Sequence, residues 1–110
     1  MIYSITLTEQ AASDLRGIYE YIAFSLLKPE YAAGQLDRLE ENILRLAKMP
    51  ERFKLYEKEP WHSRGLRQMP VDNFIVLYIP KEEAGTVTVI RVMYGGRDID
   101  VQLKKTTIQK

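Results

Sequence analysis

Polar and apolar positions alternate over residues 2–8, with Ile2, Ser4 and Thr6 on one side of the chain and Tyr3, Ile5 and Leu7 on the other. A two-residue period with β-branched members predicts a short strand. Thr8 follows, with a hydroxyl suited to capping a helix, and Glu9 is placed to favour the helix dipole. From Glu9 to about Leu27 the period lengthens: Ala11, Leu15, Ile18, Tyr19, Ile22 and Leu26 recur at helical spacing. Pro29 interrupts this run and suits the first turn of a second helix, which reaches about Met49. In that helix Ala32, Leu36, Leu39, Ile43 and Leu46 form one narrow apolar stripe, opposite Asp37, Arg38, Glu40, Glu41 and Arg45. Pro50 stops it. The short link between the two helices predicts an antiparallel helical hairpin.

A charged connector with aromatic residues covers 50–63, after which the period returns to two. Strands are predicted near 64–70, 73–80 and 86–94, joined by turns short enough for hairpins. The run Phe74–Ile79 is apolar at every position, which predicts a central strand covered on both faces. The three later strands form an antiparallel meander, and the isolated N-terminal strand, which cannot satisfy its backbone alone, must join the same sheet. The expected fold is α+β, in the order β-α-α-β-β-β, with the helical hairpin packed on one face of a small antiparallel sheet. The domain is placed at 1–97. Residues 98–110 are set apart as a flexible C-terminal tail whose polar end is expected to fray.

The chain has 110 residues, enough for one packed core. It has no cysteine and a single histidine, so neither a disulfide framework nor a Cys- or His-based metal centre is expected, and no cofactor is implied. No segment has the length of a membrane span or the layout of a signal peptide, and the cysteine-free composition suits a reducing, cytoplasmic setting. The net charge is +1 but unevenly spread: residues 1–60 hold eight Lys/Arg against ten Asp/Glu, and residues 61–110 hold eight against five. The C-terminal half is thus the better candidate for an anionic partner.

Neither a phosphate-binding loop nor a nucleophile elbow occurs. What stands out is a basic and aromatic set: Trp61, His62, Arg64, Arg67, Arg91, Tyr94 and Arg97. Arg91 sits among valines and needs either an internal acid, such as Asp72 or Asp98, or an open face; its guanidinium suits phosphate or carboxylate. Strict alternation puts Val87, Val89, Arg91 and Met93 on one face of the last strand. Trp61 reads as an anchor for the connector or as a stacking platform, and His62 as a rim residue or a general base. Gly95 and Gly96 permit a sharp turn or close approach by another molecule. Arg97 next to Asp98 reads as a local ion pair or as part of a binding rim.

Two stretches, 65–80 (GLRQMPVDNFIVLYIP) and 87–99 (VTVIRVMYGGRDI), resemble the RelE/ParE superfamily, the toxins of type II toxin–antitoxin modules. The likeness is closer to the ParE-like branch, and residues 7–23 (LTEQAASDLRGIYEYIA) resemble the family's first helix. The resemblance implies the fold derived above and a cognate antitoxin that wraps the toxin and forms an oligomer with it. It leaves two mechanisms open. ParE-like toxins bind DNA gyrase without chemistry of their own. RelE-like toxins cut mRNA on the ribosome without metal: the 2′-OH attacks the neighbouring phosphate, and Arg and Lys stabilise the developing charge. Where the ribonuclease branch holds an arginine, this chain has Ile75, which favours the first mechanism. A substitute centre would consist of Arg67, Arg91, Tyr94 and Arg97. Target or antitoxin binding would fall to Trp61, His62, Arg64, Arg67 and Arg97. A third possibility is a diverged binding module without toxicity. All the site readings assume a guanidinium-rich ledge on the sheet face that the two helices leave bare.

Overall fold

The computed structural model describes residues 2–106. The elements are β1 (Ser4–Leu7), α1 (Glu9–Glu20), α2 (Pro29–Arg45), β2 (Arg67–Val71), β3 (Phe74–Lys81), β4 (Thr86–Tyr94) and α3 (Ile99–Lys104). Thr8 caps α1 as expected: its hydroxyl oxygen accepts from the Ala11 N–H at 3.0 Å and donates to the Ile90 carbonyl at 2.9 Å, tying the helix start to β4. One π-helical turn, Tyr21–Ser25, continues α1. Leu27 then takes a left-handed conformation (φ 56°), and Pro29 opens α2.

The four strands form one sheet in the order β1-β4-β3-β2. The three later strands are the expected antiparallel meander. β1, however, lies parallel to β4, so the sheet is mixed and not wholly antiparallel. The reason is the path of the chain. β1 reaches β4 through the helical hairpin and the meander, a long crossover, and this permits the parallel orientation that a tight turn forbids.

The sheet is buried on both sides. On the helix side, Met69, Val71, Val76, Tyr78, Val87, Val89 and Val92 pack with Ala11, Leu15, Leu39, Ile43 and Leu46. On the other side, Leu77, Ile79, Ile90 and Met93 pack under Tyr56, Trp61 and Leu66 of the connector and Leu103 of α3. The second face is therefore covered, not bare. The central strand alternates between the two cores, as its all-apolar sequence requires.

β4 does not alternate strictly. Leu77 opposes Arg91 while Tyr78 opposes Val89, which leaves Ile90 as an extra residue in a bulge. The bulge moves Val92 to the face of Val87 and Val89, and Met93 to the opposite core beside Ile90. A period-two reading of β4 fails beyond Ile90 because one inserted residue flips every later side chain.

Part of the segment expected as a flexible tail is helical, as α3. Asp98 caps α3 by accepting the Val101 N–H at 3.2 Å, and Leu103 is 1 % exposed. Of the tail expected to fray, residues 107–110 lie outside the described residues.

Candidate functional site

Asp14 on α1 organises one end of the molecule. Its carboxylate accepts from Arg91 Nε at 2.7 Å and from Arg91 Nη2 at 3.0 Å, a bidentate pair, and also from the Val92 backbone N–H at 2.9 Å. β1 has ended by this level, so Asp14 supplies the acceptor that another strand residue would have supplied to the edge of β4. Arg91 Nη1 donates to the Thr106 hydroxyl at 3.1 Å, which joins the chain after α3 to the same cluster. Arg91 thus has an internal acid as partner, but that acid is neither Asp72 nor Asp98. Asp72 receives Arg38 Nε at 2.7 Å and the buried Gln35 amide at 2.9 Å, and these hydrogen bonds hold its carboxyl below the usual carboxylate range.

Arg67 is engaged elsewhere. Its Nη1 donates to the carbonyls of Phe53 (2.7 Å) and Glu51 (3.0 Å), closing the turn at Pro50–Arg52 over the end of the sheet. Cross-strand partners share a face: Arg67 opposes Tyr78 and Arg91 opposes Leu77, so the two arginines emerge on opposite sides of the sheet.

Trp61 is buried and anchors the connector to the second core. Arg64 lies over its ring at 5.1 Å, a cation–π contact. His62 is exposed, and its Nδ1 donates to the Tyr56 carbonyl at 2.8 Å, a partner that can only accept. Glu59 accepts from the Ser63 hydroxyl (2.6 Å) and N–H (2.8 Å), and both bonds hold its carboxyl below the usual range. Trp61, His62 and Arg64 therefore share one corner and do not meet the other candidates. The expected ledge of Arg67, Arg91 and Arg97 does not form.

Tyr94 and Arg97 do come together. The Arg97 N–H donates to the Tyr94 carbonyl at 3.1 Å across a turn made by Gly95 and Gly96. Both glycines serve their own chain's packing. The Gly95 N–H donates to the Asn73 carbonyl at 2.8 Å, and a Cβ on Gly96 would lie 2.5 Å from the Tyr94 ring. The Tyr94 ring meets Phe74 edge-on, with centroids 6.1 Å apart. Both residues border a cavity of about 340 Å³ between α1 and the ends of β3 and β4, which Ser13, Asp14, Gly17 and Tyr21 line from the helix side. None of these four was a sequence candidate. Their only signal was helical spacing (13, 17 and 21 are four apart), which by itself describes any helix face. Asp98, the expected local partner of Arg97, caps α3 instead. Among the described residues Arg97 makes no ion pair. No group of acidic or histidine side chains among the described residues has the make-up of a metal site, and no described helix is long and apolar enough to cross a membrane.

Residues 5–99 match the family model described as the ParE toxin of the type II toxin–antitoxin system, parDE. No curated protein sequence matches. Among solved structures, the chain resembles the chromosomal ParDE toxin–antitoxin system of P. aeruginosa, with TM-score 0.68 and 22% identity over 84% of this chain and 96% of that one. It also resembles the toxin–antitoxin complex RelBE2 of Mycobacterium tuberculosis (TM-score 0.62, 22% identity, 86% and 99% covered). A third is a mutant of the E. coli toxin RelE in the free state (TM-score 0.66, 14% identity, 96% and 98% covered). At these identities the structural likenesses establish the fold.

Proposed function

The chain belongs to the ParE toxin family of type II toxin–antitoxin systems, and we propose that it arrests growth by binding a protein target such as DNA gyrase until a cognate antitoxin covers it. One observation carries this reading over RNA cleavage. The guanidiniums that would stabilise a phosphorane-like transition state are committed to the fold: Arg91 to Asp14 and Arg67 to two backbone carbonyls. A centre of that kind needs its donors preorganised around one point. Here Arg67 and Arg91 lie on opposite faces, and Ile75 stands where an arginine would add to them. The antitoxin part of the reading draws on the solved relatives, several of which are toxin–antitoxin complexes.

The purified chain, added in stoichiometric excess, is expected to inhibit DNA supercoiling by gyrase and to leave mRNA intact on translating ribosomes. Codon-phased cleavage that disappears in Arg91→Ala or Tyr94→Phe would instead establish the ribonuclease. Unimpaired growth on full induction without antitoxin, with both assays silent, would leave a non-toxic binding module. The protein encoded next to this chain is expected to co-purify with it and to relieve the arrest.

A further inference from the structure

The cavity beside Tyr94 is open to solvent. Tyr21 and Tyr94, which flank it, are 58% and 53% exposed. At about 340 Å³ it is near the lower end for small-ligand sites, suited to one large side chain. Its floor includes Phe74, already edge-on to Tyr94, so a further ring can join an aromatic cluster at favourable geometry.

Electrostatically the cavity is selective. Asp14 lines it, but the Arg91 guanidinium bound to both of its oxygens offsets its charge, so the pair presents no net negative charge to an incoming anion. Arg97 at the rim has no ion-pair partner among the described residues. The Ser13 hydroxyl adds a neutral hydrogen-bonding group.

Gly17 is the second, independent observation. It sits within α1, where glycine costs about 0.5–1 kcal/mol relative to alanine. Packing does not demand it: a Cβ there meets nothing within 4 Å. What the missing side chain does is leave the helix wall of the cavity flat and the space unfilled.

We infer that the cavity formed by Gly17, Tyr21, Phe74, Tyr94 and Arg97 seats an aromatic side chain of the antitoxin that is flanked by a carboxylate, the ring entering between α1 and β4 and the carboxylate meeting Arg97. This rests on the toxin–antitoxin reading above, but the cavity can be tested apart from it. The probes are N-acetyl-L-tryptophan, which combines ring and carboxylate, and N-acetyl-L-tryptophanamide, which lacks the charge. Each is titrated into the isotope-labelled full chain and followed by backbone amide shifts.

The expected result is saturable shifts at Gly17, Tyr94 and Arg97, with the acid binding about three- to fivefold tighter than the amide, the upper range for a single exposed ion pair. Arg97→Gln should bring the two probes level. Gly17→Leu should abolish the shifts while raising the melting temperature, a combination that loss of structure cannot produce. Equal binding of acid and amide to the unmodified chain, shifts that survive Gly17→Leu, or no saturable shifts would each overturn the assignment. So would tighter binding of adenosine monophosphate, which would mark a nucleotide site. The neighbouring gene's product provides the second arm, and it should bind Gly17→Leu more weakly than wild type. If it binds both chains equally, the cavity assignment fails and the antitoxin reading stands. If it binds neither, the antitoxin reading fails and with it the antitoxin as occupant, and the probe titration then reports only whether the cavity takes an aromatic carboxylate.

Discussion

Asp14 holds three donors with one carboxylate, and the side chains of the Asp14–Arg91 pair are only 15% and 13% exposed. Removing one member of such a pair leaves the other charge shielded from water without compensation. Asp14→Ala is expected to lower stability by about 3 kcal/mol in urea unfolding, the cost typical of breaking a buried pair. The exposed Arg38–Asp72 pair should behave differently. Asp72 sits in the β2–β3 turn with φ 54°, and its carboxyl is held below the usual range by Arg38 first and Gln35 second. A depressed folded-state pKa contributes stability above the ordinary carboxylate pKa and loses it as pH falls through the depressed value. Melting temperature should therefore fall more steeply with acidification in wild type than in Asp72→Asn, the difference opening below the ordinary carboxylate range. At this scale the sequence displayed that Arg91 needed a partner. It could not display which, because Asp14 lies 77 positions away and looks like any polar residue on a helix face.

Among the elements, α3 is the one whose attachment is most concentrated in a single residue. It has six residues, too short to persist by helix propensity alone, and Leu103 is its buried anchor. Leu103→Ala should cost about 3 kcal/mol by large-to-small substitution if α3 unfolds with the rest of the domain. A smaller loss, with amide exchange in 99–104 faster than in β3, would show that α3 opens by itself. The long periodic elements were legible from the chain: α1 with its π-helical continuation, α2 and the three meander strands lie within a few residues of their expected limits. α3 was not, since one helical turn and a half gives periodicity nothing to repeat. The bulge at Ile90 was also hidden. Whether a strand residue is paired or extra depends on the strand opposite it, and β4 alone reads as unbroken alternation.

Over the whole molecule, a sheet buried on both faces puts Tyr78 at the centre, fully enclosed, with its hydroxyl donating to the Pro50 carbonyl. Burial pushes its phenol up to about 12. A raised folded-state value means stability that is intact below the unfolded pKa near 10 and lost as pH climbs toward 12. Global unfolding free energy should decline across that window in wild type and less so in Tyr78→Phe, as read by denaturant titration at each pH. The same double coverage explains the fate of the basic residues. A face expected to be bare is closed by 53–66 and α3, so the arginines counted as a recognition surface are drawn into the fold: Arg91 pairs with Asp14, Arg67 bonds two backbone carbonyls and Arg64 lies over the Trp61 ring, while Arg97 makes no ion pair among the described residues. The sequence alone determined the element order as far as β4, the two apolar helix stripes, the doubly buried central strand and the Thr8 cap, because each is local: a repeat distance or a neighbouring residue writes it into the chain. Only the tertiary structure decided that β1 runs parallel to β4, that Asp14 takes Arg91, and that Gly17 and Arg97 border one cavity. Those facts depend on which distant segments pack together, and close packing is a property of the assembled volume that no single stretch of chain contains.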